Sequence, residues 1–174
     1  MKVRALLQLS ALGMGMLANG IAIAASASLL DVQESVVIAA APEVVWKAVK
    51  DFDNMSWHPA VAATRLTEGR NNERQAVRLL TLKDGARMTE QLREHDDARK
   101  VQRYTLLDSP LPVTDYGASI AVAPAGDGGS TVTWQAQFRR KQDAPVDDAA
   151  IKTTIRGIFA AGLGHLKQLL EAAQ

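Results

Sequence analysis

PVDDAAIKTTIRGIFAAGLGHLKQLLEAA, Pro145 to Ala173, sets the requirement that the rest of the chain must meet. Ile151, Ile155, Ile158, Gly162, Leu166 and Leu169 recur at helical spacing on one stripe, flanked by Phe159 and Leu170. Asp147 and Asp148 stand at its start, where acidic groups complement the helix dipole. A helix this long and this one-sided must lay its stripe on an apolar surface. The preceding segment offers one: from Ala62 to Lys141 the pattern shortens to a period of two, with turn signals at Glu68-Gly69, Asp84-Gly85, Asp96-Asp97, Ser109-Pro110 and Gly126-Asp127-Gly128-Gly129. In STVTWQAQF, Ser130 to Phe138, the residues Val132, Trp134, Ala136 and Phe138 alternate with Thr131, Thr133, Gln135 and Gln137. One face of such a strand is buried and the other is wet.

Upstream, LLDVQESVVIAA, Leu29 to Ala40, is rich in β-branched residues and stops before Pro42, which marks a first strand. Pro42 opens APEVVWKAVKDF, where Val45, Val49 and Phe52 keep helical spacing and Glu43 sits near the N-terminus. Asn54 can cap a second short turn of helix carrying Trp57 and His58, which Pro59 limits. The expected order is β, α, α, several β, then a long α. This is an α+β domain without internal repeats or a linker to a second domain.

The chain begins MKVRALLQLSALGMGMLANGIAIAASAS: Lys2 and Arg4, then an apolar run, then small residues. That is the layout of a secretory signal peptide spanning residues 1–24, with Ala22-Ile23-Ala24 and Ala25-Ser26-Ala27 as alternative cleavage patterns. The expected domain is 25–174 and the expected compartment is the periplasm. No second long apolar run follows, so no membrane span is expected after cleavage. Without Lys2 and Arg4 the chain holds 18 basic against 19 acidic residues, a balance that excludes a basic nucleic-acid-binding surface as its organising feature. The absence of cysteine removes thiol catalysis, haem attachment through Cys and cysteine metal sites.

VQESVVIAAAPEVVWKAVKDFDNMSWHPAV, AVRLLTLKDGARMTEQL, DSPLPVTDYGASIAV and GGSTVTWQAQF together resemble the SRPBCC (START-like) superfamily, in its bacterial polyketide cyclase/dehydrase-like branch. That branch includes MxaD-like periplasmic proteins associated with methanol oxidation. The resemblance covers almost all of residues 25–174. It implies a helix-grip fold: a curved antiparallel sheet wrapped round the C-terminal helix, with an apolar cavity between them. Gly157, Gly162 and Gly164 either keep the helix surface low beside that cavity or allow close helix–sheet packing without one. SPLPVTDY, Ser109 to Tyr116, resembles a loop gating such a cavity, with a rigid strand connection as the alternative.

The hairpin AVRLLTLKDGARMTEQLRE carries the sharpest chemical signal. A three-residue loop Lys83-Asp84-Gly85 sets Leu82 opposite Ala86, Leu80 opposite Met88 and Arg78 opposite Glu90, whereas a two-residue turn mixes apolar and polar faces. An acid and a base on an apolar face must pair. Two readings stand: a cavity-lining pair in which Arg78 holds a carboxylate or enolate oxygen and Glu90 orients it or acts as base, with Tyr104 adding a hydroxyl; or an internal ion pair that fixes strand register. His58 is a helix-end or pocket-mouth residue first and a ligand contact second; no His-x-His or HExxH spacing supports a metal. Trp57 reads as an apolar wedge closing the cavity. Trp46, Trp134 and Phe138 read as core or cavity wall, Phe159 belongs to the helix surface facing it, and Tyr116 ends the gating segment. GDGGS is a turn between strands, not a phosphate loop, and no GxSxG is present.

Three functions fit. The first is an exported protein binding a small hydrophobic or amphipathic molecule without metal or organic cofactor, using Trp57, His58, Arg78, Glu90, Tyr104, Tyr116, Trp134 and Phe159. The second, implied by the resemblance, is an accessory protein to a periplasmic dehydrogenase or cytochrome. The third is a cofactor-independent cyclase or dehydratase using Glu90 or His58.

Overall fold

The alternation in the middle of the chain is realised as strands. The computed structural model describes residues 28–173, so the leader expected at residues 1–24 lies outside the described residues. Among these, the strands are β1 (Leu29–Ile38), β2 (Val61–Glu68), β3 (Val77–Leu82), β4 (Arg87–Asp96), β5 (Val101–Asp108), β6 (Val113–Pro124) and β7 (Ser130–Arg140). They form one antiparallel sheet in the order β1-β7-β6-β5-β4-β3-β2. Helix α1 (Pro42–Val49) follows β1, and α2 (Asp148–Glu171) ends the fold. This is the helix-grip arrangement. Val132, Trp134, Ala136 and Phe138 of β7 are all buried, as the alternation requires.

The β3–β4 hairpin has the three-residue loop. Gly85 takes a left-handed φ of 87°, and Leu82 N–H donates to the Ala86 carbonyl at 2.8 Å. Arg78 then pairs with Glu90 and Leu80 with Met88. A one-residue slip would have turned the charged pair to solvent and Leu80 with it.

Helix α2 starts where Asp147 caps it, its carboxylate accepting from Ala150 N–H at 2.8 Å. Its far end closes the sheet edge at β1: Lys167 donates to the Val37 carbonyl at 2.7 Å and Glu171 accepts from Ala39 N–H at 3.0 Å. Tying off these edge groups removes a template for pairing with another chain.

Three expectations are corrected. The second short helix carrying Trp57 and His58 does not form. The segment is a series of turns, in which the Asn54 side chain accepts from Ser56 N–H at 3.0 Å and His58 N–H bonds to the Met55 carbonyl at 2.9 Å. An Asx turn satisfies the backbone locally, and Pro59 has no N–H to extend a ladder. The buried stripe of α2 is rotated: Phe159 and Leu163 are inside, whereas Ile158 is half-buried and Leu169 is exposed. The helix rolls because Phe159 stacks on Trp134, centroids 4.4 Å apart. Finally, only the first part of SPLPVTDY is a connection; Val113 to Tyr116 belong to β6. A bulge between Thr114 and Gly117, with Asp115 at a left-handed φ of 52°, turns Tyr116 onto the concave face.

Candidate functional site

Between α2 and the concave face of the sheet lies a cavity of about 360 Å3. The apolar wall comes from Leu80, Leu82 and Met88 of the hairpin, Met55 and Val61 at its edge, and Ile155, Ile158 and Phe159 of α2. Glu90, Tyr104, Tyr116, Trp134 and His58 complete it, all buried. It opens to solvent where the lining includes the exposed Ala60, Thr154, Gly157 and Ala161. A wider depression of about 520 Å3 on the outer sheet face is floored by Gln33, Gln135 and Gln137. Those are the outward, wet positions of β1 and β7, so the apolar cavity beneath α2 is the better candidate.

Arg78 and Glu90 face each other across the hairpin, 2 % and 4 % exposed. Arg78 Nε and Nη2 both reach Glu90 Oε2 at 2.7 Å, and Nη1 donates to the Phe52 carbonyl at 2.9 Å. The guanidinium carbon lies 4.2 Å from the centroid of the Phe52 ring and 5.2 Å from that of Tyr104. Glu90 is part of the cavity wall; Arg78 stands behind it, enclosed by aromatic rings. The cation is therefore not presented to a ligand's carboxylate.

Tyr104 accepts a hydrogen bond from Trp134 Nε1–H at 2.7 Å. Burial, then the Glu90 charge, pushes its phenol well above the ordinary tyrosine range. Tyr116 is pushed up by burial first and by Tyr104 and Glu90 after it. Both remain O–H donors at any physiological pH.

His58 is held on both sides by backbone. Its Nδ1 accepts from Ala60 N–H at 3.2 Å, which fixes the proton on Nε2, and Nε2 donates to the Ile158 carbonyl at 3.1 Å. The ring thus clips the turn after α1 to the middle of α2. His165 adds a second clip, Nδ1 donating to the Trp57 carbonyl at 2.8 Å. Trp57 lies outside the cavity wall, its ring 5.4 Å from Trp134 and 6.0 Å from His58, so it packs behind the wall as a wedge. Trp46 is core, remote from the cavity, with its indole donating to Asp97 at 2.7 Å. Among the described residues no group of three or more His, Asp or Glu is placed to hold a metal.

Burial lowers the His58 pKa, outweighing the Ile158 hydrogen bond that raises it, and His165 lowers it further. Between about pH 6.5 and the depressed native value, the unfolded chain takes up a proton that the native ring refuses, so stability falls as pH falls. The expected slope is at most about 1.4 kcal/mol per pH unit. Urea midpoints at pH 7.5 and 5.5 should differ in the wild type and converge in His58→Gln. Equal differences in both proteins would show that His58 does not carry the effect.

One feature behind the wall escaped the sequence reading. Phe52 looked like one more apolar helix residue, yet its carbonyl and ring hold Arg78. Gly157 proves to be in the wall with open space at its Cβ position, whereas Gly162 lies against His58 and Trp134. The two readings of the helix glycines thus apply to different glycines.

The same fold is found in solved structures. XoxI from Bacillus cereus is 29% identical, with a TM-score of 0.74 over 80% of this chain and 94% of that one. A protein from Thermobifida fusca is 32% identical, with a TM-score of 0.70 over 79% of this chain and 90% of that one. An uncharacterised protein from Bacillus thuringiensis is 27% identical, with a TM-score of 0.74 over 81% and 98% of the two chains. No curated protein matches the chain. The sequence model of one family spans residues 30–171, from β1 to the end of α2, and by that match the chain belongs to the polyketide cyclase/dehydrase and lipid transport family.

Proposed function

We propose that the protein binds a small hydrophobic or amphipathic molecule in the cavity beneath α2, and that residues 1–24 export it to the periplasm. The observation that carries the binding reading is the make-up of the wall: apolar over most of its area, with Glu90, Tyr104 and Tyr116 supplying buried polar groups. Ligand sites combine these two elements, one for affinity and one for orientation. The family's description, which includes lipid transport, supports the same reading. Binding is favoured over acid–base catalysis by His58 because both of its ring nitrogens are committed to backbone groups. A general base needs a free lone pair within reach of the proton it takes.

The test is mass spectrometry of small molecules released from natively purified protein, wild type beside Gly157→Leu. No heavy atom lies within 4 Å of the Gly157 Cβ position, so a side chain there starts in open space, and a leucine is expected to fill part of the cavity mouth. A stoichiometric compound in the wild type, reduced at least tenfold in the folded variant, is expected. A wild-type protein that is empty and also fails to take up an added apolar fluorophore would sink the reading.

A further inference from the structure

We propose, resting on the binding reading above, that the cavity selects an uncharged head group that both donates and accepts a hydrogen bond, the hydroxyl of an alcohol or phenol, and rejects carboxylates.

The argument is an accounting of polar atoms. Among the described residues no Lys or Arg lines the cavity. Arg78, the cation behind the wall, spends Nε and Nη2 on Glu90 and Nη1 on Phe52, and its faces are turned to the Phe52 and Tyr104 rings. An incoming carboxylate would therefore meet the Glu90 carboxylate in an apolar enclosure with no cation to offset it, an arrangement that like-charge repulsion and desolvation both oppose. An ammonium head group fares no better. The Arg78 charge lies directly behind Glu90, so the pair as a whole is neutral and does not repay the desolvation of a further cation.

What remains is a short set of unused hydrogen-bonding capacity. His58 has none, since both nitrogens bond to backbone. Thr154 at the mouth gives its hydroxyl to the Ala150 carbonyl. Tyr104 has accepted from Trp134 and keeps its own proton to donate. Glu90 Oε1 and the Tyr116 hydroxyl take part in no hydrogen bond among the described residues, yet neither is sealed off as a buried orphan. Both residues line the cavity, and it is to these two uncommitted atoms that a bound head group is assigned. One carboxylate oxygen that accepts, beside phenolic O–H groups that donate, is complementary to a group with one donor and one acceptor on the same atom. A hydroxyl meets that description, and the apolar wall takes the rest of its carrier.

The experiment is isothermal titration calorimetry of the mature protein at pH 7.5 with four probes sharing one bicyclic body: naphthalene, 2-naphthol, 2-naphthoate and 1-naphthylmethylammonium. The expected result is that 2-naphthol binds at least tenfold more tightly than either ion and several-fold more tightly than naphthalene. Tyr116→Phe should erase most of the naphthol advantage while leaving naphthalene unchanged, and Glu90→Gln should bring naphthoate closer to naphthol. If Glu90→Gln does not fold, Tyr116→Phe decides, because it removes a hydroxyl without breaking the ion pair. Naphthoate or the ammonium binding as tightly as naphthol overturns the inference, as does a naphthol that gains nothing over naphthalene; in those cases the cavity still binds and the proposed function stands. Failure of all four probes to bind the folded wild type overturns the proposed function itself.

Discussion

Replacing Arg78 by alanine should remove about 3–5 kcal/mol of stability, the range measured when one partner of a buried ion pair is deleted. Three losses coincide there. Glu90, 4 % exposed, is left as an uncompensated buried charge; the Phe52 carbonyl loses its donor at 2.9 Å; and the space between the Phe52 and Tyr104 rings is emptied. Against a total of roughly 5–15 kcal/mol for a domain, this brings the protein to the margin of folding. The double change Arg78→Met with Glu90→Leu should recover most of the loss, because apolar side chains of similar volume do not need each other's charge. Urea denaturation followed by circular dichroism measures both. If the single variant falls within about 1 kcal/mol of wild type, the pair is solvated in solution and its place in the core is refuted.

The same glycine-to-alanine change should have opposite signs at two positions on α2. At Gly162 an added Cβ would stand 2.5 Å from His58 Cδ2, 2.9 Å from Trp134 Cζ3 and 3.0 Å from His58 Nε2. Neither ring can retreat cheaply: His58 is clipped to Ala60 and Ile158, and Trp134 is stacked on Phe159 and bonded to Tyr104. Overpacking of this kind costs about 1–3 kcal/mol, which outweighs the helix-propensity gain of up to about 1 kcal/mol. At Gly157 nothing lies within 4 Å of the Cβ position, so Gly157→Ala keeps the propensity gain and raises stability by up to about 1 kcal/mol. Unfolding midpoints of the two single variants decide the matter. A stabilised Gly162→Ala would mean that α2 does not pack against His58 as described.

The register of the β3–β4 hairpin was legible because it is a local matter. Matching Leu80 to Met88 and Leu82 to Ala86 admits one loop length, and that length brings Arg78 to Glu90. The role of His58 was not legible, since its partner Ile158 lies 100 residues further on and no local pattern joins them. Tyr116 fell between: SPLPVTDY reads as a loop from its prolines, yet a left-handed Asp115 returns the chain to the sheet and aims the next side chain inward. A bulge changes the parity of a strand, and period-two reasoning fails at the residue where it occurs.

The alternation in Ser130–Phe138, the helical spacing after Asp147 and the turn at Lys83–Gly85 were enough to determine a run of strands followed by a long helix, the buried face of β7 and the pairing of Arg78 with Glu90. These depend on repeat lengths of two and 3.6 residues and on turn chemistry, which act over a few neighbours. Which face of α2 meets the sheet, which glycine permits contact and which leaves space, and whether Arg78 or Glu90 faces the cavity were decided by the tertiary structure alone. Each depends on how side chains distant in sequence exclude one another in a close-packed interior.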